Sequence, residues 1–310
     1  MRAITQTEFG GPEVLRPADV PAPAPEPGGV VVRQRATSVN PVDLFIRSGR
    51  FPLLGQPPFI LGWDVSGVVE AADPAVTRFK VGDEVYGMPY FPRAANAYAE
   101  LVAAPSRQLA RKPAGLTDAE AGALPLVGLT AWQALVDIAD LQPGQRVLIH
   151  GAGGGLGHIA VQLARHLGAE VIGTASAAKH DFLRSLGADR LIDYRTADFA
   201  AEVSDVDVVL ETIGGDYADR SLTVLRPGGL LVTAVERLNR TLPERAAAAG
   251  RRFAAVSVEP DYVALEALAA LAEAGAVRPY AQTALPLEDA AKAHELVAAG
   301  GVQGKVVLTF

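Results

Sequence analysis

The chain has no cysteine among its 310 residues. That absence excludes disulfides, thiolate catalysis, iron–sulfur clusters and cysteine-ligated zinc. Histidine is scarce, with five residues. His158 and His166 stand about two helical turns apart, too far to share one metal ion, and no spacing suggests a metal site. Basic charge is outnumbered as well. The formal net charge is −7, which argues against a nucleic-acid partner, because phosphate binding needs basic surface. Only five of the 28 basic residues are lysines, a bias that reads as coding composition. Long apolar runs are missing. The longest, 121–136, is broken by Gly122, Pro125, Gly128 and Gln133 and falls short of the roughly 20 residues that cross a bilayer. The opening MRAITQTEFG holds one basic residue and no apolar stretch, so it does not read as a secretory signal. The expectation is a cytoplasmic protein with no membrane and no nucleic-acid partner.

What is present is the balance of a globular protein, 49% hydrophobic and 20% charged, long enough for about two domains. The first third reads as β-structure. Residues 30–35, 65–71 and 84–86 are short β-branched runs punctuated by Gly and Pro. VPAPAPEPGG before them reads as a proline-rich surface connection between strands. From about residue 117 the pattern changes. Thr117 followed by Glu120 resembles a capping box at a helix start. Strands are then expected at 146–150, 170–174, 190–192, 206–211 and 230–234, with helices at 156–167 and 179–186. Such alternation implies a doubly wound parallel sheet with helices on both faces, an α/β fold. A further helix is expected at 263–274, then a helix and a strand in the tail.

The strongest local signal is VLIHGAGGGLGHIAVQLARHLGAEVIGTAS. A buried strand runs into a glycine-rich turn and directly into an amphipathic helix. Glycines let the backbone approach a pyrophosphate, and the helix N-terminus offers N–H donors and partial positive charge. Ala152 stands where the first glycine of G-x-G-x-x-G would be, with Gly154 and Gly157 after it. A tight turn alone would explain the glycines; the strand–turn–helix–strand context points to a Rossmann-type dinucleotide site. NAD-preferring sites carry an acid about 20 residues on, for the ribose 2′-hydroxyl. Here the second strand ends in Ala175-Ser176-Ala177-Ala178-Lys179, with no carboxylate before Asp181. A hydroxyl and a lysine suit a 2′-phosphate, so NADP(H) is the expected cofactor; the lesser, competing role for Lys179 is that of a solvated helix residue.

Several stretches then carry a resemblance over nearly the whole chain: ATSVNPVDLFIRSG at 36–49, PFILGWDVSGVV at 58–69, FKVGDEVYG at 79–87, AYAELV at 97–102, the glycine loop, LGADRLIDYR at 186–195 and GKVVL at 304–308. The sequence resembles zinc-independent medium-chain dehydrogenases/reductases of the quinone oxidoreductase group. The resemblance implies a mostly β, GroES-like substrate domain made by both chain ends, 1–120 and 281–310. The Rossmann NADP(H)-binding domain, 121–280, is inserted between them, with the active site in the cleft. It also implies a homodimer through the nucleotide domains, for which 253–258 is a candidate edge strand.

By motif, the resemblance implies that Gly154, Gly155, Leu156 and Gly157 hold the pyrophosphate and that Ser176, Lys179 and Tyr194 surround the 2′-phosphate. Thr130 would lie near the nicotinamide ribose or amide, Ala234 and Val235 would line the nicotinamide, and Lys305 would come near the cofactor. Asn40 and Asp43 would sit at the floor of the substrate cleft; for Asp43 and Thr130, capping or turn formation is the competing role. Relatives with zinc use cysteine and histidine ligands, which this chain lacks.

Hydride transfer belongs to the cofactor, while the protein supplies position and electrostatics. Without a metal, an isolated carbonyl lacks a strong Lewis acid. A quinone needs less help, because hydride addition gives a hydroquinone anion, and an enone gives an enolate. Asn40 or an ordered water would stabilise either anion. Where enoyl-thioester reductases of the superfamily carry tyrosine, this chain has Phe51 in Ser48-Gly49-Arg50-Phe51-Pro52. Phenylalanine donates no proton, so it is expected to pack against a flat substrate or fill the cleft wall. The leading expectation is an NADPH-dependent quinone reductase. A reductase of α,β-unsaturated aldehydes or ketones comes second, and a non-catalytic NADPH-binding protein third. No G-x-S-x-G elbow is present for a hydrolase.

Overall fold

Six strands, the central four with buried apolar residues in nearly continuous runs, form one all-parallel sheet. In the computed structural model, which describes residues 1–310, the order across that sheet is Arg190–Asp193, Glu170–Ala175, Arg146–Ile149, Val206–Glu211, Leu225–Thr233 and Arg252–Ala255. Val147, Leu148, Ile149, Val209, Leu210, Leu231 and Val232 are all fully buried, as a sheet covered on both faces requires. Helix Gly155–His166 buries Ile159, Val161 and Leu163 against it. Phe199, Leu222 and Leu242 pack with Leu148, Ile172 and Leu231 in one core. The strand order reverses between Arg146–Ile149 and Val206–Glu211, and open α/β sheets bind ligands at the carboxyl ends beside such a switch.

The second sheet is built differently. Its path runs Ala281–Pro286, Lys305–Thr309, Gly29–Val39, Val65–Ala72, Glu84–Gly87 and Leu109–Arg111, with Leu101–Pro105 also paired to Gly29–Val39. All of these pairs are antiparallel except Ala281–Pro286 with Lys305–Thr309. Val30, Val32, Val65, Val69, Phe79, Val85 and Leu109 fill its core. The tail strand pairs Val306 with Val39 and Thr309 with Ala36, which brings Lys305 beside the Val39–Asn40 corner. A smaller sheet joins Arg16–Asp19, Arg2–Gln6 and Phe59–Ile60.

The chain divides into two compact units. One comprises Met1–Leu129, Glu259–Gly275 and Pro279–Phe310; the other comprises Thr130–Val258 and Ala276–Arg278. These cuts differ from the expected 120/121 and 280/281. The main reason is helix Tyr262–Glu273, which belongs to the first unit. Tyr86 Oη donates to the Leu265 carbonyl at 2.5 Å, Arg78 pairs with Glu266 at 2.8 Å, and Leu265 and Leu268 are buried. An apolar stripe shows that a helix packs on something, not which unit supplies the partner.

Other elements shift by local chemistry. Thr117 does cap Asp118–Ala123, with Glu120 completing the box. The expected helix 179–186 becomes a short 3₁₀ turn at Ala177–Lys179 followed by helix His180–Ser185. The edge strand ends at Ala255, leaving 256–258 outside it. Helices Tyr217–Val224 and Leu242–Ala248 were not anticipated. No helix is long and apolar enough to cross a membrane.

Candidate functional site

In the second unit the glycine loop leaves the strand at His150. Gly151 has φ +59°, in the left-handed region that glycine tolerates best. Gly154 takes the N-cap position of helix Gly155–His166 without a capping side chain. The N–H groups of the first helical turn therefore have no intrahelical acceptor. Gly157 is required for space: a Cβ there would lie 2.3 Å from the Gly151 carbonyl oxygen and 2.6 Å from Ala152 Cα. Backbone donors, a bare cap and close packing fit a pyrophosphate.

His150 braces the entry to this loop, a role no sequence motif disclosed. It is fully buried, with Nδ1 3.1 Å from Thr174 Oγ1 and Nε2 3.0 Å from Ser221 Oγ. Ser221 spends its proton on the Tyr217 carbonyl at 2.6 Å, so the imidazole donates from Nε2 and accepts at Nδ1. Thr174 Oγ1 then accepts the Gly151 N–H at 3.3 Å. Burial, with nearby Arg220, pushes the His150 pKa down to about 3, so the ring is neutral.

At the end of the second strand, Ser176 is buried and Lys179 is half-buried. Lys179 lies along the loop: a Cβ on Gly153 would be 2.5 Å from its Cδ, and its ammonium reaches the Gly153 carbonyl at 3.4 Å. Burial and the charge of Arg195 both hold its pKa below the usual lysine range. Arg195, not anticipated from the sequence, has its guanidinium 5.9 Å from the Tyr194 ring, and Tyr194 is exposed. Asp181 turns away to Arg184 at 2.7 Å with its side chain 99% exposed. Lys179 and Arg195 supply two cations here, and Asp193, at the neighbouring strand end opposite Ala175, accepts the Arg195 N–H at 3.0 Å. Elsewhere in this unit Thr130 is buried, Ala234 is half-buried and Val235 is exposed.

The first unit holds a buried polar network around helix Pro41–Arg47. Asn40 is fully buried. Its Oδ1 accepts from Lys305 Nζ, and its Nδ2 donates to Asp64 Oδ2 at 2.8 Å. Lys305, also buried, donates to the Val39 carbonyl at 3.0 Å and stands 3.8 Å from Asp64. Ser38 Oγ donates to Asp64 Oδ2, and the Leu126 N–H donates to Asp64 Oδ1 at 2.7 Å. Burial lowers the Lys305 pKa, opposed by Asp64 and Asp43. Asp43 is spent on capping. It accepts from the Asn40 N–H at 2.8 Å, the Gly62 N–H at 3.2 Å and Tyr98 Oη at 3.3 Å. Burial pushes its pKa up to about 7, against those N–H groups and Lys305. His294 stands 3.1 Å from Tyr98 Oη and 3.1 Å from Arg47 Nη1. Arginine only donates, so His294 accepts at Nδ1 and donates from Nε2.

The structure therefore joins three expected residues, Asn40, Asp43 and Lys305, to Tyr98, a hydroxyl expected near this region in either a site or a structural role, and to three that the sequence did not assign to a site: Ser38, Asp64 and His294. Asp64 lay in the quoted stretch GWDVSG; His294 carried no signal at all. Asn40 has no exposed surface and both ends of its amide are engaged, while Lys305 spends two of its three donors on Val39 and Asn40. Phe51 is half-buried on the segment after the helix, with its N–H on the Phe45 carbonyl at 3.1 Å.

The alcohol dehydrogenase GroES-like domain family matches residues 26–114, and the zinc-binding dehydrogenase family matches 186–308. The donors present do not fit a zinc ion: there is no cysteine, and no three His, Asp or Glu side chains are grouped to hold one. A polyketide synthase component, PikAII of Streptomyces venezuelae, is 39% identical over 311 residues, covering 95% of this chain and 8% of that protein. The chain spans between 5% and 14% of four such synthases that it matches. The human quinone oxidoreductase is 30% identical, covering 99% of this chain and 97% of that protein. Among solved structures, the Coxiella burnetii quinone oxidoreductase has a TM-score of 0.94 at 34% identity, covering 100% of this chain and 99% of that one. The Escherichia coli quinone oxidoreductase complexed with NADPH has 0.89 at 28%, covering both chains fully. The CurK enoyl reductase has 0.90 at 27%, covering 99% and 98%.

Proposed function

The chain belongs to the quinone oxidoreductase group of the medium-chain dehydrogenases/reductases, an oxidoreductase family, and on that premise we propose that it reduces a quinone with NADPH. The cofactor is NADP(H). Gly154, Gly155, Leu156 and Gly157 would hold the pyrophosphate, and Ser176, Lys179, Tyr194 and the neighbouring Arg195 would hold the 2′-phosphate. Thr130, Ala234 and Val235 would flank the nicotinamide. When bound, that cofactor supplies hydride.

The observation that carries the acceptor is the state of the first-unit network. Asn40, Asp43, Asp64, Tyr98, His294 and Lys305 are all buried and spent on one another. Phe51 has no acidic proton. A protein that presents no acid suits an acceptor needing none, and the hydroquinone anion left by hydride transfer takes its one proton from water. Asn40 then acts as a brace for the Val39–Pro41 corner rather than as an oxyanion donor. Reduction of an α,β-unsaturated carbonyl is the second reading, favoured by the 39% identity to a polyketide synthase component and by the enoyl reductase neighbour. Strand Arg252–Ala255 pairs only with Leu225–Thr233, so its open edge is where a second copy would add in a homodimer.

The test is NADPH oxidation at fixed enzyme with an ortho-quinone and with a 2-alkenal, NADH serving as control. Faster turnover of the quinone with NADPH supports the main reading. Preference for the alkenal moves the enzyme to double-bond reduction, and cofactor binding without turnover of either moves it to a binding protein.

A further inference from the structure

One buried carboxylate laces together two loops at the carboxyl ends of strands Val206–Glu211 and Leu225–Thr233. Glu211 is fully buried. Its Oε1 accepts the N–H groups of Ile213 at 2.5 Å and Gly214 at 2.6 Å, and its Oε2 accepts the Thr233 hydroxyl at 2.9 Å. Thr233 Oγ1 in turn accepts the N–H groups of Glu236 at 3.0 Å and Val235 at 3.3 Å. Both lone pairs of that hydroxyl are used, so its single proton goes to Glu211. Every partner of Glu211 is a donor, which calls for the carboxylate. No Lys, Arg or His pairs with it. Glu236, less buried, accepts the Gly215 N–H at 3.1 Å and so ties the same two loops. A buried charge without a counter-charge is costly, so a cation brought beside Glu211 would be favoured.

The two loops lie across the strand-order switch from Lys179. A dinucleotide spanning that switch, with its 2′-phosphate end at Lys179, would bring its other ring to the side of 212–215 and 234–236. We propose that Glu211, seconded by Glu236, poises the bound nicotinamide by favouring its oxidised, cationic form over its reduced, neutral form. The inference rests on the NADP(H) reading above. Loss of a hydride, one proton with two electrons, to the quinone or enone takes the ring from neutral to +1. The reduced acceptor takes its balancing proton from water. A fixed carboxylate nearby stabilises the charged side of that step, and most strongly where water is scarce.

The experiment measures dissociation constants of NADP⁺ and NADPH, by calorimetry, for the wild-type protein and for Glu211→Gln, Glu236→Gln and Thr233→Val. Glutamine keeps an oxygen for the loop N–H groups and removes the charge, but its Nε2 then meets the Thr233 hydroxyl donor-to-donor, a strain that acts on both nucleotide forms alike. The ratio Kd(NADP⁺)/Kd(NADPH) is expected to rise about three- to tenfold in Glu211→Gln and less in Glu236→Gln. Thr233→Val keeps the charge but loosens the turn, so it weakens both forms alike and leaves the ratio unchanged. Equal weakening of both forms by Glu211→Gln overturns the poising role and leaves a structural brace. If Glu211→Gln does not fold, an unchanged ratio in Glu236→Gln overturns it instead. A wild-type protein that binds neither form overturns the cofactor reading and this inference together.

Discussion

Lys305 closes on Asn40 inside the first unit: the lysine ammonium donates to the asparagine oxygen, while the asparagine nitrogen donates to Asp64 at 2.8 Å. Residues 265 positions apart are thereby locked into one buried polar knot, which the antiparallel pairing of Val306 with Val39 brings together.

Breaking that knot from one side leaves Asp64 as a buried charge with no cation. Lys305→Met is expected to cost about 3–5 kcal/mol in urea unfolding. Adding Asp64→Asn is expected to recover part of the loss, because the stranded charge goes with its partner. Additive losses in the double variant would show that the two residues are not coupled.

At the strand end that carries Lys179 and Arg195, Lys179→Ala is expected to raise the NADPH KM roughly tenfold, the scale of one charge-assisted contact. Residual NADH activity should hardly change. Arg195→Ala, on a more exposed side chain, should act in the same direction and less. Equal losses with both nucleotides would remove the 2′-phosphate assignment.

The glycine loop gives a graded pair. A Cβ at Gly157 would meet backbone at 2.3 Å, whereas one at Gly154 would have its nearest neighbour at 3.3 Å. Gly157→Ala is expected to abolish nucleotide binding and to destabilise by roughly 1–3 kcal/mol, as overpacking does. Gly154→Ala should fold normally and weaken binding modestly, as read by calorimetry.

Two neutral, buried histidines set a pH dependence. The pKa of His150 and that of His294 are each lowered from 6.5 to about 3, so the folded protein binds fewer protons than the unfolded chain between those values. Their contribution is complete above about pH 6.5 and is lost as pH falls toward 3. Asp43, raised from 3.8 to about 7, works oppositely: its contribution is complete below about pH 4 and is lost as pH rises through 7. Between pH 7 and pH 5, His150→Gln and His294→Gln should each lessen the wild-type acid loss by roughly 2 kcal/mol. Unfolding curves whose pH dependence stays parallel to wild type would contradict neutral burial.

Local chemistry was legible in the chain wherever one segment carries its whole reason. The capping box at Thr117 and Glu120 needs only four residues, and the loop from Gly151 to Gly157 announces itself by a strand before it and a helix after. The lack of acid after the second strand could be read as well, because it concerns residues 175–179 alone. Helix Tyr262–Glu273 was visible as a helix, but its apolar stripe is indifferent to which unit covers it. Asn40 was foreseen as a site residue and Lys305 as a neighbour of the cofactor; their hydrogen bond to each other was not, since nothing local links a corner at 40 to a strand at 305.

The sequence by itself determined that the chain alternates strand and helix around a glycine turn, that no thiol chemistry is open to it, and that Phe51 cannot give a proton. Tertiary structure alone decided which polar residues are spent internally. Whether Asn40 faces a ligand or a lysine, and whether Glu211 has a counter-charge, depends on partners brought from distant segments by sheet pairing. A side chain's protonation and its spare hydrogen-bonding capacity are set by those partners and by burial, and neither is a property of the residue or of its neighbours in sequence.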